Sequence, residues 1–253
     1  MHSYKELDSF EYWSITDKDQ FSISVIKGLV MDAVRKANSG HPGGAMSSAD
    51  FIYLLFKDYL KFDPKNPDWL DRDRFILSGG HMSMLQYSIL HLIGWMKLSE
   101  IKKFRQLGSH TPGHPEIEIP GVECTTGPLG QGFAMGVGMA LAEAYLSSVI
   151  SSHDEDSMEL INHFTYVLAT DGDLQEPVSL GAAAIAGHLG LNKLIVYYDA
   201  NDAQISGKVS RSDSVNYDVL FDGLGWNVQE IDGHDHSAMH FAIETAKVMD
   251  KPS

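Results

Sequence analysis

The chain has 253 residues, with 19 lysines and arginines against 34 aspartates and glutamates, a formal net charge of −15. This acidity argues against a nucleic acid partner, because phosphate backbones are bound through basic surfaces. A composition of 43% hydrophobic and 21% charged residues excludes disordered and fibrous classes. The single cysteine, Cys124, excludes an internal disulfide. Because the sequence has neither a signal-peptide core nor 18 consecutive apolar residues, we predict a cytoplasmic protein without a membrane partner.

The first part of the chain is predicted to be helical. Thr16 and Asp19 have the spacing of a capping box, which satisfies the free amides of a first helical turn. The apolar residues that follow recur on one helical face until Gly40, which is predicted to end the helix. After a glycine-rich loop, a second apolar helix is predicted over residues 47–60.

The middle of the chain combines a short strand with long loops. Residues 74–78 predict a buried strand, and Gly79-Gly80-His81 forms the turn into a further helix. Residues 107–132 are rich in glycine, proline and threonine and are too long for a plain connector, which indicates a functional loop. A helix of small residues is predicted over 130–150, followed by a polar surface loop at 151–157.

The second half predicts alternating strands and helices. Apolar strands are expected at 164–169, 193–198 and 226–231. Helices are expected at 178–189, 217–224 and 237–249. This alternation predicts an α/β fold, a parallel sheet flanked by helices on both faces, with an N-terminal helical extension. Since no internal repeat is visible, residues 1–253 are predicted to form a single domain.

Two of the predicted strands end in oxygen-bearing side chains. One is followed by Thr170-Asp171-Gly172-Asp173 and the next by Asp199-Ala200-Asn201. Ligands of open parallel sheets bind at the carboxyl ends of the strands, and Asp171 and Asn201 offer the oxygen ligands that Mg²⁺ or Ca²⁺ prefers. Gly172 permits a close approach of the backbone to a phosphate. The same residue types are also common in turns and helix caps, so these pairs by themselves leave both interpretations open.

Five ordered blocks extend this pattern over most of the chain. They are KANSGHPGGAMSSAD at 36–50, DRDRFILSGGHMSMLQY at 71–87, FRQLGSHTPGHPE at 104–116, GVECTTGPLGQG at 121–132 and IAGHLGLNKLIVYYDAN at 185–201. The spacing from Gly172 to Asn201 resembles the GDG…N diphosphate and metal signature of thiamine diphosphate enzymes. Together the blocks resemble the N-terminal, diphosphate-binding domain of transketolase.

This resemblance implies a set of site residues. Asp171, Asn201 and the carbonyl group of Ala203 match the ligands of a divalent ion, Mg²⁺ or Ca²⁺. The residues that match cofactor-binding positions for thiamine diphosphate are His81, Gly127, Leu129, Asp171, Gly172, Glu176, Asn201 and Ile205. His41 and His114 match catalytic histidines near the ketose substrate. Imidazoles titrate near neutral pH, so such side chains can donate to a ketose oxygen and move protons.

The resemblance also implies a function for the chain. Transketolases transfer a two-carbon ketol unit from a ketose phosphate to an aldose phosphate. In the family the activating glutamate comes from a pyrimidine-binding domain or subunit, which together with the C-terminal domain is not in this chain, so the isolated chain is expected to be inactive. Assembly into a homodimer or a heterotetramer is expected. A split subunit and a truncated enzyme are both possible origins, and the ending Lys251-Pro252-Ser253 favours truncation.

One helix departs from the family pattern. Gly181 stands where the family has a second carboxylate, which leaves Glu176 alone in the network that links paired sites. Asp173 and Asp202 lie beside the predicted metal loops, where they either strengthen cation binding or are solvated.

The alternative function is a non-catalytic regulatory or assembly module that keeps the fold. The retained histidines favour the enzyme, because an inert module has no evident need of them.

Overall fold

The computed structural model describes residues 9–150, 160–205 and 207–253. Its sheet has three parallel strands in the order β1 (Arg74–Leu77), β2 (Thr165–Thr170) and β3 (Leu194–Asp199). The α-helices are α1 (Ile15–Ala37), α2 (Pro42–Ser47), α3 (Ala49–Leu54), α4 (Ser83–Leu92), α5 (Leu98–Ile101), α6 (Gln131–Ile150), α7 (Asp171–Leu174), α8 (Pro177–Leu189), α9 (Tyr217–Gly223) and α10 (His236–Val248). The predicted α/β fold is confirmed, and the loop predicted at 151–157 lies outside the described residues.

The sheet divides the hydrophobic core into two clusters. Tyr166 and Leu168 of β2 pack in one cluster with α1, α3 and α4, whereas Val167 and Ala169 pack in the other with α6 and α8. All six residues of β2 are buried, since this strand lies between β1 and β3 and is covered on both faces. The apolar character of its middle residues, Tyr166 to Ala169, therefore follows from its central position.

The N-terminal cap of α1 differs from the prediction. The Ser14 hydroxyl, not that of Thr16, accepts a hydrogen bond from the Asp17 amide at 3.1 Å and donates to the Asp17 carboxylate at 2.6 Å. Asp19 is buried, and its carboxylate accepts hydrogen bonds from Tyr53 at 2.7 Å and from Lys57 at 3.1 Å. Helical periodicity alone does not distinguish a capping carboxylate from one that binds another helix.

The helix predicted over 47–60 is broken into three parts. α2 ends at Ser47, α3 begins at Ala49, and a π-helical turn follows over Leu55–Tyr59. At the break, Ser47 donates to Asp199 of β3 at 2.9 Å and Ser48 donates to it at 3.2 Å. The interruption lets two successive hydroxyl groups reach one carboxylate, which is a long-range contact invisible in the local pattern.

The strand predicted at 226–231 is not formed within the described residues. The backbone of this segment pairs with a distant part of the chain at one point, where the Asn227 amide donates to the Pro252 carbonyl at 2.8 Å. Ser253 in turn lies beside β3, with its amide donating to the Leu194 carbonyl at 3.1 Å. Residues 252–253 thus lie between segment 226–231 and β3, and the local sequence gave no sign of this separation.

Helix α6 is apolar on both its buried and its exposed sides. By length and composition it could cross a membrane, with a mean hydropathy of 1.5, although its sequence has no unbroken apolar run of that length. Phe133, Val137 and Ala140 belong to the core cluster beneath β2, which accounts for one side. On the other side Tyr145 and Val149 are exposed, so α6 presents an apolar surface outward.

Two glycines of α8 provide a matched test of how closely this helix packs against the 224–226 turn. A Cβ atom at Gly187 would collide with the carbonyl oxygen of Leu224, whereas one at Gly181 would meet nothing within 4 Å. We expect Gly187→Ala to lower the free energy of unfolding by about 2–3 kcal/mol, because the backbone of α8 or of the 224–226 turn must move. Gly181→Ala should raise it by about 1 kcal/mol, because alanine favours the helix. Urea denaturation measures both, and equal changes would contradict the described contact.

Candidate functional site

The predicted metal ligands meet where β2 and β3 end. β2 runs into Asp171, and β3 pairs with it in parallel register up to Thr170 and Asp199. The carboxyl ends of both strands therefore lie at one edge of the sheet, and the loop after β3 returns Asn201 and Ala203 to the same place. The sequence-based prediction that these side chains converge agrees with this arrangement.

Asp171 is a buried carboxylate with one unsatisfied oxygen. Its Oδ1 accepts a hydrogen bond from the Tyr198 hydroxyl at 2.5 Å, whereas Oδ2 is buried without a hydrogen-bond partner among the described residues. Burial raises the pKa of Asp171 above its usual value, and Asp199 adds to the rise, while Tyr198 and the amides of Ala203 and Asn201 oppose it. A buried carboxylate oxygen without a donor is costly, and a cation would remove that cost.

The loop after β3 completes a set of oxygen atoms. The Asn201 side-chain amide donates to Asp199 at 3.0 Å, and its Oδ1 accepts from the Ala203 amide at 2.9 Å. These bonds hold the side chain of Asn201 to Asp199 and to Ala203, while the backbone amides of Asn201 and Ala203 lie next to Asp171. A carboxylate, a side-chain amide oxygen and a backbone carbonyl are the donors that Mg²⁺ and Ca²⁺ take, so the residues present fit a hard divalent cation.

Asp173 is neither solvated nor a candidate ligand. It is fully buried, and its carboxylate accepts hydrogen bonds from Ser78 and the Gly130 amide at 2.8 Å each and from the amide and hydroxyl groups of Thr170 at 2.9 Å each. These bonds tie together the ends of β1 and β2 and the start of α6. Asp202, by contrast, is exposed and pairs with Lys208 at 3.7 Å. Asp173 thus supports the fold, and the solvated interpretation holds for Asp202.

The predicted cofactor-binding residues occupy different environments. A Cβ atom at Gly172 would come within 2.8 Å of a terminal methyl group of Leu129, so this loop lies against the 127–130 turn. Glu176 stands at the N-terminal cap of α8 without a side-chain capping bond. Ile205 is fully exposed, so its packing beside a cofactor stays a prediction.

Three histidines lie near one another, and His81 among them is close to Asp173 and Asp199. The rings of His41 and His81 lie 5.3 Å apart at 75°. A Cβ atom at Gly127 would lie 3.4 Å from His114, which places that histidine against the 127–130 turn. Burial is the largest cause that lowers the pKa of His81, and the nearby His41 lowers it further. The pKa of His114 is also lowered, chiefly by desolvation and then by Arg105 and His41. Both shifts favour the uncharged imidazole ring, which has one donor and one acceptor nitrogen.

The sequence analysis missed one further group of polar residues, which surrounds Asp50. Asp50 accepts a hydrogen bond from Lys27 at 2.8 Å and one from His236 at 3.1 Å, and it lies 3.4 Å from the ring nitrogen of His234. Burial raises the pKa of Asp50, but these partners outweigh it and hold the pKa below its usual value. The only local signal was the Asp-Gly-His-Asp turn that contains His234, because Lys27 and Asp50 are distant in sequence.

Comparison with known proteins agrees with this architecture. A parallel sheet with oxygen ligands and glycines at its carboxyl edge is typical of α/β domains that bind phosphorylated cofactors. The family model described as the transketolase thiamine diphosphate binding domain matches residues 18–253. The chain therefore belongs to the transketolase family, within its thiamine diphosphate-binding domain.

Individual relatives support the same assignment. The transketolase of Staphylococcus epidermidis is 49% identical over 239 residues, which are 94% of this chain and 36% of that protein. The transketolase of Halalkalibacterium halodurans is 47% identical over 93% of this chain and 35% of its own. A crystal structure of transketolase from Campylobacter jejuni superimposes with a TM-score of 0.88 at 45% identity, covering 92% of this chain and 36% of that one. The chain thus spans about a third of the length of these relatives.

Proposed function

We propose that the chain is the diphosphate-binding component of a transketolase, which transfers a two-carbon ketol unit from a ketose phosphate to an aldose phosphate in the cytoplasm. Residues 1–253 would form one domain, active only with a pyrimidine-binding domain or subunit. The unsatisfied Oδ2 atom of Asp171 is the main structural support, because a buried carboxylate oxygen at the carboxyl edge of a parallel sheet needs a cation. The family membership supplies the cofactor, thiamine diphosphate.

Each loop at the sheet edge has a part in holding the cofactor. Asp171, Asn201 and the Ala203 carbonyl would bind Mg²⁺ or Ca²⁺, which in turn holds the diphosphate. Gly172 and the 127–130 turn would line it, since the Leu129 side chain of that turn lies close to the backbone of Gly172, which has no side chain of its own. Thiamine diphosphate supplies, when bound, a carbanion and an electron sink for ketose cleavage. Because the net charge is −15, attraction for phosphorylated ligands would have to be local, through a bound cation, amide groups and histidines.

The histidines would manage protons at the substrate. His41 and His114 would hydrogen-bond the hydroxyl and carbonyl oxygens of the ketose and move protons at those atoms. The lowered pKa values of His81 and His114 favour uncharged rings near pH 7, so each ring offers one donor and one acceptor nitrogen. Arg105 lies beside this group and lowers the pKa of His114, which makes a charged His114 still less favourable.

An outward apolar surface supports a protein partner. α6 and α8 pack against each other, and Glu143, their single charged residue, is buried and paired with Lys193 at 2.7 Å. Tyr145, Val149 and Ile185 on the outer side of these helices are 65%, 62% and 52% exposed. An exposed apolar surface of this kind is typical of a protein interface. We propose that it contacts the pyrimidine-binding partner or a second copy, in a homodimer or a heterotetramer.

A fusion protein tests this function directly. The chain would replace the matching part of the Staphylococcus epidermidis transketolase, so that the rest of that protein supplies the pyrimidine-binding domain. We expect the fusion to convert a ketose phosphate and an aldose phosphate when Mg²⁺ and thiamine diphosphate are present. The 253-residue chain alone should show no turnover above background. The unmodified relative serves as the positive control in the same coupled assay.

Two outcomes would contradict the proposal. Turnover by the isolated chain would show that no partner is needed. A folded, assembled fusion that binds thiamine diphosphate without turnover would favour the non-catalytic module, which Gly181 first suggested. Assembly is checked by light scattering and cofactor binding by calorimetry, so that neither outcome is confused with misfolding.

A further inference from the structure

Asp199, the last residue of β3, binds two regions of the chain that are far apart in sequence. Its Oδ2 atom accepts hydrogen bonds from Ser47 at 2.9 Å and from Ser48 at 3.2 Å, at the break between α2 and α3. The same atom accepts a hydrogen bond from the side-chain amide of Asn201 at 3.0 Å. One carboxylate oxygen thus joins the helix break to the loop that carries a proposed cation ligand.

The position of the Asp199 carboxylate is fixed on the helix side. Asp199 is only 9% exposed, and Ser48 is fully buried. A Cβ atom at Gly44 would lie 3.6 Å from Oδ2 of Asp199, which places the backbone of α2 against the carboxylate. Two hydroxyl donors and a closely packed helix therefore leave this carboxylate little freedom to move, and they make it a fixed reference for Asn201.

The bond to Asp199 decides which way the amide group of Asn201 faces. An ionised carboxylate can only accept hydrogen bonds, so the NH₂ group of Asn201, and not its oxygen, lies against it. The Oδ1 atom is turned the other way and accepts from the Ala203 amide at 2.9 Å. An amide oxygen has two lone pairs, so Oδ1 keeps one acceptor site for a cation. A flipped amide would present its NH₂ group there, which cannot bind a cation.

Asp199 also brings negative charge to this edge of the sheet. Burial is the largest cause of the raised pKa of Asp171, and the charge of Asp199 adds to the rise. A carboxylate in this place can therefore favour a cation in two ways, by holding the Asn201 amide and by its charge alone. A test of Asp199 has to separate these two effects.

We propose that Asp199 is a positioning residue for the cation site: held by Ser47 and Ser48, its carboxylate keeps the oxygen of Asn201 turned toward the cation. This inference rests on the proposed function, since it needs a cation at Asp171 and Asn201. Residues that hold a metal ligand in place typically contribute 10- to 100-fold to metal affinity. The break between α2 and α3 then serves the site, because it brings two successive hydroxyl groups to that carboxylate.

Mn²⁺ binding by the complete chain tests this role. Thiamine diphosphate is present throughout, and free Mn²⁺ is measured by electron paramagnetic resonance in titrations that continue until the weakest variant is saturated. Asp199→Asn is expected to weaken Mn²⁺ binding by about tenfold or more. Asp202→Asn is the control, because it removes an exposed carboxylate from the same loop. It should change the affinity by less than about threefold, since solvent and salt screen an exposed charge.

A second variant leaves every charge of the site in place. Ser47→Ala combined with Ser48→Ala removes the two donors that hold Asp199 and keeps its carboxylate. We expect this variant to bind Mn²⁺ roughly threefold or more weakly than the parent chain, because the carboxylate is no longer fixed. Circular dichroism shows whether each variant is folded. The serine variant also provides the test if Asp199→Asn does not fold.

Both changes are then repeated in an Asn201→Ala background. An orienting effect disappears when there is no amide to orient, whereas an effect of charge or of general loosening remains. We expect both variants to bind Mn²⁺ within roughly threefold of Asn201→Ala alone. Losses as large as those in the parent chain would overturn the inference, as would unchanged binding by folded Asp199→Asn or, if that variant is unfolded, by the serine variant. These results leave the proposed function standing, whereas no Mn²⁺ binding by the parent chain would contradict both.

Discussion

Replacing Asp171 by Asn is expected to weaken thiamine diphosphate binding by the fusion enzyme by about 100-fold or more, because even residues behind a metal ligand contribute 10- to 100-fold. The substitution removes the charge of the buried carboxylate whose Oδ2 lacks a donor, and it leaves an oxygen for the Tyr198 hydroxyl. Calorimetric titration of the cofactor at fixed Mg²⁺ measures the loss. Ketol transfer should fall with it.

The same substitution should leave the fold intact. Burial raises the pKa of Asp171, so its charge is unfavourable without a cation. We expect the metal-free Asp171→Asn variant to be as stable as the parent or more stable by up to about 1 kcal/mol, the usual trade-off at a functional site. Asp222→Asn, the same change at an exposed position of α9, is the control for both measurements. Unchanged cofactor affinity in Asp171→Asn would remove the carboxylate from the proposed metal site.

Asp173→Asn, only two positions further on, is expected to lower the free energy of unfolding, whereas Asp171→Asn should not. The carboxylate of Asp173 accepts four hydrogen bonds, from Ser78, from the Gly130 amide and from two groups of Thr170. An asparagine would place a donor against other donors inside the core, and we expect a loss of about 3 kcal/mol in the free energy of unfolding. Urea denaturation checks this loss.

Comparison of the two variants isolates the two roles. If Asp173→Asn unfolded no more easily than Asp171→Asn, the hydrogen-bond network around Asp173 would not support the fold as described. The measurement is made without metal, so that cation binding does not add to the stability of either protein. Asp171→Asn should weaken cofactor binding and keep the fold, whereas Asp173→Asn should destabilise the fold. The two variants together are therefore more informative than either one alone.

Much of the fold was predictable because its signals are local. β2 reads as an unbroken apolar run since it is buried on both faces, and α8 is marked by Pro177 at its start and Gly190 at its end. The convergence of Asp171 and Asn201 was also predictable, because parallel strands end at one edge of a sheet. These features depend on neighbours in sequence or on the general geometry of parallel sheets.

The features that could not be predicted depend on contacts between distant residues. The helix break at Ser48 exists because its hydroxyl reaches Asp199, 151 positions away. The buried role of Asp173 depends on Ser78, which is 95 positions earlier. Likewise, segment 226–231 resembled a strand, yet its pairing depends on what lies between it and β3. Composition gives the character of a residue but not its partner.

Paramagnetic NMR is the most direct test of the central claim that this chain supplies the cation site for the cofactor diphosphate. Mn²⁺ and thiamine diphosphate are added to the isotope-labelled chain, and the broadening of each backbone amide resonance is measured. We predict that broadening is strongest at Gly172, Asn201 and Ala203, and that Asp171→Asn abolishes it. Strongest broadening around Asp50 and His234, or a pattern unchanged by Asp171→Asn, would contradict the assignment of the site.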